Sequence, residues 1–243
     1  MSCIKPTSVV LKVLPRISLE NDLAPVYLLV ESRETYTHDS QGVLKDASIC
    51  VSCQQIKPLQ YGKKYPKTHF HGGYSSSQQG LVSLTANTLS TGGFVVIEDN
   101  EIKGNRVGTY LMSEIVKWAK QWPNADVRSV TLGTGQAQAE NLERRNKLYE
   151  KLNLKFVYDD LNHKKSGCSQ KILASQLTII DSWKNNISLI SVPEYFKSLI
   201  LEGQTKDDKL LELSERCSKQ TEKIMTARKQ PFLTAIKILF NQW

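Results

Sequence analysis

A strand, a loop and a helix follow one another between residues 93 and 119, and this order constrains the fold more than any other part of the sequence. Residues 94–97 are a continuous apolar run that ends at three polar residues, which predicts a buried central strand. Apolar side chains then recur at helical spacing over residues 107–119 and stop before Pro123, which predicts a helix with one apolar face. Such an order is typical of α/β proteins.

The same alternation continues through the middle of the chain. Residues 127–132 predict a second strand that Gly133 and Gly135 end, residues 140–152 predict a helix, and residues 156–158 predict a short strand. Strands that alternate with helices at this spacing favour an α/β domain in which neighbouring strands are parallel.

The N-terminal part is less regular. Residues 9–13 form a β-branched run that predicts a first strand. Residues 18–34 carry apolar side chains at helical spacing, with Ser18 or Asn21 as the N-cap, and predict a helix. Residues 37–92 are rich in Gly, Ser, Gln and His and have only brief apolar runs, so they predict short strands joined by long loops.

Composition changes in the last third of the chain, and we divide it into a domain of residues 1–165 and a basic, mainly helical extension of residues 166–243. Helices are predicted around residues 177–183, 206–228 and 232–240. The part after residue 160 carries 13 Lys and Arg against 8 Asp and Glu, which is +5 of the net charge of +8. This charge fits an acidic partner or a nucleic acid, and equally a solvated basic surface.

Composition is that of a soluble globular protein, because 40% of the residues are hydrophobic and 23% are charged. No apolar run approaches the roughly 20 residues that a transmembrane helix needs, and no signal sequence is recognised. The five cysteines are an odd number in a chain long enough to fold without disulfides, so reduced thiols are expected. We therefore expect a cytoplasmic protein.

The loop before the helix at residues 107–119 has the chemistry of an anion site. The first N–H groups of a helix have no partner within the helix, and the helix dipole adds partial positive charge there. A strand-to-helix loop is therefore a natural cradle for a pyrophosphate, and Gly108 lets the backbone approach such a ligand closely.

This loop resembles the signature of the GNAT superfamily of N-acetyltransferases, which has Gln or Arg, two residues, Gly, one residue, and then Gly or Ala at the same junction. Lys103 holds the Gln or Arg position, Arg106 replaces the first Gly, and Gly108 holds the second. Arg106 would be harmless at a negative φ and could meet a CoA phosphate, or it could obstruct the cradle. The resemblance implies a GNAT-like α/β fold, with a mixed, splayed central sheet flanked by helices.

A second motif of that family lies on the next predicted helix. The run Leu-Tyr-Glu-Lys-Leu at residues 148–152 matches the family helix, whereas Asn153 and Leu154 stand where Gly-Phe is usual. Asn141 lies one residue farther from the tyrosine than the commonest spacing. The resemblance implies that the Tyr149 hydroxyl lies near the CoA sulfur and protonates the departing thiolate. Without that role, Tyr149 is an ordinary core aromatic.

Acyl transfer also needs a group that takes a proton from the attacking amine. Glu98, at the polar end of the predicted strand, is our candidate general base, with Asp99 and Glu101 as alternatives, and a solvated acidic turn is the plainer interpretation. The resemblance implies that acetyl-CoA, the cosubstrate, contacts the strand end, the loop and the second helix. The implied cofactor-binding residues are Val96, Ile97, Glu98, Lys103, Gly104, Asn105, Arg106, Val107, Gly108, Thr109, Asn141 and Tyr149.

Four further residues have the ligand types of a tetrahedral zinc site: Cys50, Cys53, His69 and His71. Residues three apart on a strand face opposite sides, and no glycine-containing knuckle separates the cysteines. We therefore assign no metal site from the sequence. The two histidines could instead line a substrate cleft.

The activity that the resemblance implies is direct transfer of an acetyl group from acetyl-CoA to an amine that the sequence does not identify. A homodimer is left open. The alternative is a catalytically degenerate GNAT-like module whose basic tail binds protein or nucleic acid. Binding of acetyl-CoA separates the two.

Overall fold

The computed structural model describes residues 2–15, 24–59, 61–77, 80–86, 97, 102–137 and 140–240. These residues form two sheets and four α-helices, a mixed α/β structure that confirms the predicted class. The strands are β1 (Ser2–Val13), β2 (Val26–His38), β3 (Leu44–Lys57), β4 (Thr68–Ser75), β5 (Leu81–Ser83), β6 (Asp126–Val127), β7 (Thr131–Leu132), β8 (Phe156–Tyr158), β9 (Gly167–Ser169) and β10 (Ile187–Ile190). The helices are α1 (Val107–Ala119), α2 (Glu140–Lys151), α3 (Val192–Lys229) and α4 (Pro231–Leu239).

The larger sheet has seven strands in the order β10-β1-β2-β3-β4-β5-β6. Neighbouring strands are antiparallel from β10 to β5, whereas β5 and β6 are parallel. A parallel pair requires a crossover connection, and α1 lies in the segment that connects these two strands. Among the described residues, parallel pairing is therefore found only between β5 and β6, at one edge of the sheet.

The strand predicted over residues 127–132 divides between two sheets. Its first part is β6, and the N–H of Arg128 still donates to the carbonyl of Val82 in β5 at 2.7 Å. Farther along, the carbonyl of Val130 accepts a hydrogen bond from the N–H of Ser169 in β9 at 3.0 Å, and β7 follows. The smaller sheet has the order β7-β9-β8 with antiparallel neighbours. The chain therefore changes sheets within this segment.

Helix α1 packs its apolar face on β3 and β4, and it confirms the helix predicted at this position. Gly72 of β4 lies directly beneath the helix, because a Cβ at that position would stand 3.1 Å from Ile115 and 3.2 Å from Trp118. The same Cβ would stand 2.9 Å from Ile49 of β3. A side chain at residue 72 would push the helix away, since protein interiors have no spare volume at such a contact. The core lies on this face of the sheet.

The predicted N-terminal helix, residues 18–34, is wrong from Val26 onward. That part is β2, which pairs with β1 on one edge and β3 on the other. Val26, Leu28 and Val30 are buried and the residues between them are less so, which is the alternation of a strand. The same apolar residues also fit helical spacing, and pairing with two distant strands decides the outcome. Residues 18–23 of that prediction lie outside the described residues.

The prediction of short strands over residues 37–92 is wrong for β3, which is 14 residues long. Its Ser, Cys and Gln residues make it look like a loop in the sequence. Backbone groups bond to β2 and β4 along both edges, however, and those bonds need no particular side chain. The strands β4 and β5, with 8 and 3 residues, are short as predicted.

The chain forms two compact units, residues 1–192 and residues 193–243. In the first unit, β9 lies at the centre of the smaller sheet and β10 lies at the edge of the larger one, beside β1. Neither strand is predicted from the sequence, because both are short and depend on partners far away in the chain.

The helix predicted around residues 177–183 is wrong. The segment is irregular until a single 3-10 turn at Ser182–Asn185. It is tied to α1 instead, since the Ser113 hydroxyl donates to the carbonyl of Ile180 at 2.9 Å and the Lys120 amine donates to that of Leu177 at 2.7 Å. These long-range bonds replace the intrahelical bonds that the apolar spacing predicts.

The second unit contains α3 and α4. Helix α3 has 38 residues and includes the predicted helix at residues 206–228, and α4 confirms the helix predicted around residues 232–240. Pro193 lies in the first turn of α3, where a missing N–H removes no helical bond, so the helix begins before it. Only Tyr195 is buried among the side chains of α3. Within the described part of the chain, no helix combines the length and apolar character that crossing a bilayer requires.

Candidate functional site

The loop of residues 102–106 leads into α1 through two left-handed backbone positions. Gly104 has a φ of +80°, and Arg106, the N-cap residue of α1, has a φ of +62°. The Arg106 side chain makes no capping hydrogen bond to the helix. Backbone N–H groups at the start of α1 are thus not taken up by an N-cap side chain, as an anion site requires.

Arg106 adopts this conformation at a cost of about 1 kcal/mol or more, because its Cβ crowds the backbone at a positive φ. The negative φ at which Arg106 would be harmless is therefore not found. Its guanidinium donates from Nη1 to the carbonyl of Ser182 at 2.6 Å. A charge-assisted bond of this kind contributes roughly 1.5–3 kcal/mol and offsets the backbone strain. The guanidinium thus bonds a protein carbonyl next to the loop.

Asn186 holds the same loop from the other side. Its side-chain amide donates to the carbonyl of Asn105 at 3.0 Å and to that of Leu14 at 3.2 Å. Asn105 is itself buried. Both Ser182 and Asn186 are missed by sequence reasoning, because they lie far from the loop in the chain and belong to no motif.

Gly108 packs against Ile97, the last residue of the strand predicted over residues 94–97; residues 94–96 lie outside the described residues. A Cβ at residue 108 would stand 3.2 Å from the Cδ1 of Ile97 and 3.9 Å from the ring of Phe70. Ile97 is partly buried against the core and lies outside the assigned strands. The other residues that we assign to this strand end, Val96 and Glu98, lie outside the described residues, as do Asp99 and Glu101.

Helix α2 meets the loop before α1. The Nη1 atom of Arg144 would be 3.5 Å from a Cβ on Gly104, so the guanidinium lies against the glycine. Arg144 and Lys103 are both exposed, which places two cationic side chains around the loop. Asn141, also exposed, lies in the first turn of α2. The sequence reasoning missed Arg144, since an arginine on a polar helix face gives no signal by itself.

The remaining residues predicted to bind the cofactor differ in exposure. Val107 is buried, and Thr109 is half-buried in the first turn of α1. Val107 therefore belongs to the core and offers its backbone alone to a ligand. Thr109 keeps part of its side chain accessible beside the helix start.

Tyr149 lies on the inner face of α2 and is 6% exposed. Its ring packs near Phe156 of β8, with ring centroids 5.8 Å apart. Burial raises the pKa of the Tyr149 hydroxyl to about 12, and the nearby positive charge of Arg145 opposes that rise. Tyr149 therefore keeps its proton at neutral pH and acts as a donor.

The raised pKa bears on the acid role expected for Tyr149. Full transfer of its proton to a thiolate would be uphill, because the pKa of Tyr149 lies above that of an ordinary thiol. A hydrogen bond from the Tyr149 hydroxyl to the thiolate avoids that cost. The raised pKa makes Tyr149 a weaker acid and leaves its hydroxyl suited to donating a hydrogen bond.

Two buried polar residues anchor the middle of α2. Arg145 donates to the carbonyl of Gly133 at 2.8 Å and to that of Lys165 at 3.0 Å. Asn146 donates to the carbonyl of Lys164 at 3.1 Å and accepts a bond from Arg145 Nε at 3.0 Å. These bonds fix α2 to the segment before it and to the turn between β8 and β9.

Asn153 ends α2 in the position where the resembled family has glycine. Its φ is +70°, the N–H of Asn153 donates to the Glu150 carbonyl at 3.0 Å, and the N–H of Leu154 donates to the Tyr149 carbonyl at 3.1 Å. This pair of bonds is the Schellman motif, for which asparagine is the usual substitute for glycine. The Asn153 amide also donates to the carbonyl of Gln176 at 2.9 Å. The departure from the family pattern at residue 153 therefore leaves the helix end intact.

Three of the four cysteine and histidine residues that the sequence singles out come together. Cys50 lies opposite His71 in the register of β3 and β4, and its Sγ is 3.8 Å from the Nδ1 of His69. Cys53 is fully buried on the other face of β3, as the spacing along a strand predicts. Burial raises the pKa of the Cys50 thiol, and burial together with His69 lowers the pKa of His71.

The loop before α1 and the helix α2 thus meet at Gly104 and Arg144, and Tyr149 lies farther along α2. The first N–H groups of α1 and two exposed cations give that place an affinity for anions. No protein-family model, curated protein or solved structure matches this chain.

Proposed function

We propose that this chain is an acyl-CoA-dependent N-acetyltransferase, which moves an acetyl group from acetyl-CoA directly to an amine. One observation carries the proposal: the loop and the helix that hold the two sequence motifs meet, with Arg144 against Gly104. In the proposed complex the CoA pyrophosphate lies at the N-terminus of α1, and α2 supplies Arg144 on one face and Tyr149 on another.

The electrostatics of the loop support a pyrophosphate there. An anion at a helix N-terminus gains typically 0.3–1 kcal/mol from the dipole, and hydrogen bonds from the backbone N–H groups add to this. Lys103 and Arg144 are exposed beside the loop and can each bond a phosphate oxygen. The Arg144 guanidinium lies against Gly104, within van der Waals distance of the position that a Cβ there would take.

The sheet supports the same assignment at a coarser level. The parallel pair β5 and β6 lies at the edge of an otherwise antiparallel sheet, and the chain passes from β6 into the smaller sheet. Such a change of partners fits the mixed, splayed sheet of the resembled superfamily.

In the proposed reaction, the neutral amine attacks the thioester carbonyl carbon, the new C–N bond forms, and the C–S bond breaks to release CoA as a thiolate. Tyr149 stabilises that thiolate by a hydrogen bond from its hydroxyl. Glu98 is the proposed base that accepts the amine proton, with Asp99 and Glu101 as alternatives.

The variant Tyr149→Phe tests this role of the hydroxyl. Activity is measured as release of the CoA thiol with a panel of polyamine, amino-acid, peptide and aminoglycoside acceptors. We expect Tyr149→Phe to lower kcat by about 100-fold and to leave the KM for acetyl-CoA unchanged. Tyr61→Phe, which removes a hydroxyl from a fully exposed tyrosine, is the control and keeps wild-type kcat. A Tyr149→Phe enzyme with wild-type kcat would refute the role.

The second candidate is a catalytically degenerate module that binds protein or nucleic acid. The left-handed φ of Arg106 and its bond to Ser182 favour it, because a bulky residue stands where the resembled family has glycine. Under this alternative the chain binds nucleic acid with a steep dependence on salt and does not bind acetyl-CoA. Titration of the chain with acetyl-CoA, and with nucleic acid at two salt concentrations, therefore decides between the candidates.

A further inference from the structure

The face of β3 and β4 that points away from α1 carries a cluster of side chains with metal-ligating atoms. Strand alternation places Cys50 on this face, because its neighbours Ile49 and Val51 are buried in the core. His71 lies directly opposite Cys50 in the register, and His69 lies two residues earlier on the same strand and the same face. The three side chains are therefore neighbours by virtue of the sheet.

The distances within this cluster fit a single metal ion. One ligand atom from each of Cys50, His69 and His71 lies within 4.8 Å of the other two. In a tetrahedral zinc site, Zn–S is about 2.3 Å and Zn–N about 2.0–2.1 Å, which separates sulfur from nitrogen by about 3.6 Å. The separation of Cys50 Sγ from His69 Nδ1 is 3.8 Å, so small side-chain rotations complete the geometry.

His71 gives an independent indication that a ligand belongs here. Its Nδ1 is buried and has no hydrogen-bond partner within the described part of the chain. Buried ring nitrogens are normally satisfied, and metal coordination is one way to do so. The His71 ring also lies nearly parallel to that of His69, at 12° and with ring centroids 6.2 Å apart.

We propose that Cys50, His69 and His71 bind one divalent transition metal ion, of which zinc fits the ligands best. Thiolate and imidazole ligands select zinc among the common divalent ions of the cell, and magnesium and calcium are excluded because they require oxygen. The fourth position faces solvent, since His69 is exposed. Three protein ligands with an open position are typical of catalytic rather than structural zinc.

Binding converts the Cys50 thiol to a metal-bound thiolate and releases one proton to solvent. The neighbouring charges allow this. Arg33 lies opposite Cys50 on β2, and the positive charges of Arg33 and Lys67 both favour the thiolate. The site lies on the opposite face of the sheet from α1, so it stands whether or not the chain binds acetyl-CoA.

The test is titration of the tag-free, reduced and chelator-treated full chain with Co²⁺, followed by displacement with Zn²⁺. We expect one Co²⁺ per chain, with the near-ultraviolet band of a cobalt thiolate and the strong visible bands of four-coordinate cobalt. Cys50→Ser abolishes the thiolate band, and His69→Gln, at an exposed residue, raises the Kd by more than about 100-fold. Zn²⁺ bleaches both sets of bands.

Cys168→Ser and Cys217→Ser are the matched controls, because each removes an exposed thiol outside the cluster. Both retain the spectrum and the Kd of the wild type. The proposal is overturned if the wild type binds no Co²⁺ stoichiometrically, or if the thiolate band survives in Cys50→Ser. Because His69→Gln changes only a surface side chain, circular dichroism of that variant stays native and a loss of binding there reports ligation.

Discussion

Among the described residues, two helix ends hold a residue other than glycine in the left-handed region, and they are stabilised in different ways. Asn153, after α2, has a φ of +70° and is held by two backbone bonds within its own turn. Arg106, before α1, has a φ of +62° and is held by a bond to Ser182, which lies far away in the chain. The first end is closed locally, whereas the second depends on tertiary structure.

This difference explains why the effect of the departure from the family pattern can be inferred from the sequence at Asn153 and not at Arg106. Asparagine tolerates a positive φ, so its presence at residue 153 keeps the turn that glycine would make. Arginine has no such tolerance, and only the carbonyl of Ser182 and the amide of Asn186 show how the loop is supported. A change from the family pattern is therefore harmless or costly according to what surrounds it.

The largest expected effect is at Arg145, which anchors α2 by long-range bonds. Arg145→Ala removes two charge-assisted bonds of a buried side chain, to the carbonyls of Gly133 and Lys165, so the free energy of unfolding falls by about 3 kcal/mol. Urea denaturation measures this change in the free energy of unfolding. Lys147→Ala, on the exposed face of α2, is the control and changes stability by less than about 0.5 kcal/mol. Equal losses of stability in both variants would contradict the anchoring role of Arg145.

A middle-sized effect is expected at Arg106. Arg106→Gly relieves about 1 kcal/mol of backbone strain and loses roughly 2 kcal/mol from the bond to Ser182, for a net loss of about 1 kcal/mol. Arg106→Ala loses the same bond and keeps the strain, so it is less stable than Arg106→Gly by about 1 kcal/mol. If alanine and glycine are equally stable at residue 106, the left-handed conformation is contradicted.

The smallest effect is expected at Asn153. Asn153→Gly loses an exposed bond to Gln176 and gains backbone tolerance, so its free energy of unfolding stays within about 0.5 kcal/mol of the wild type. Asn153→Ala is less stable than Asn153→Gly by about 1 kcal/mol, because its Cβ is strained at the positive φ. A larger loss in Asn153→Gly than in Arg106→Gly would reverse the comparison between the two ends.

The sequence predicts the parts of the fold whose signals are local. Helices α1 and α2 are found at the predicted positions because each has one apolar face and a clear end. Strands β2 and β10 are not predicted correctly, since their identity depends on pairing with β1. The same holds for the loop before α1, whose Gly104 is visible in the sequence while its support from Ser182 and Asn186 is not.

The cluster on β3 and β4 also depends on strand pairing that the sequence does not show. The sequence supplies Cys50, His69 and His71 but cannot give the register that sets Cys50 opposite His71. Spacing along one strand correctly separates Cys53 from this face. Cross-strand contacts, in contrast, become visible only once the sheet is known.

The most direct test of the central claim is isothermal titration of the purified chain with acetyl-CoA. We expect saturable binding of one acetyl-CoA per chain. Arg144→Ala weakens this binding roughly tenfold, because it removes one charge-assisted phosphate contact of about 1.5 kcal/mol, and Lys147→Ala leaves it unchanged. Absence of binding to acetyl-CoA and to other acyl-CoAs would contradict the assignment of the loop before α1 as the cofactor site.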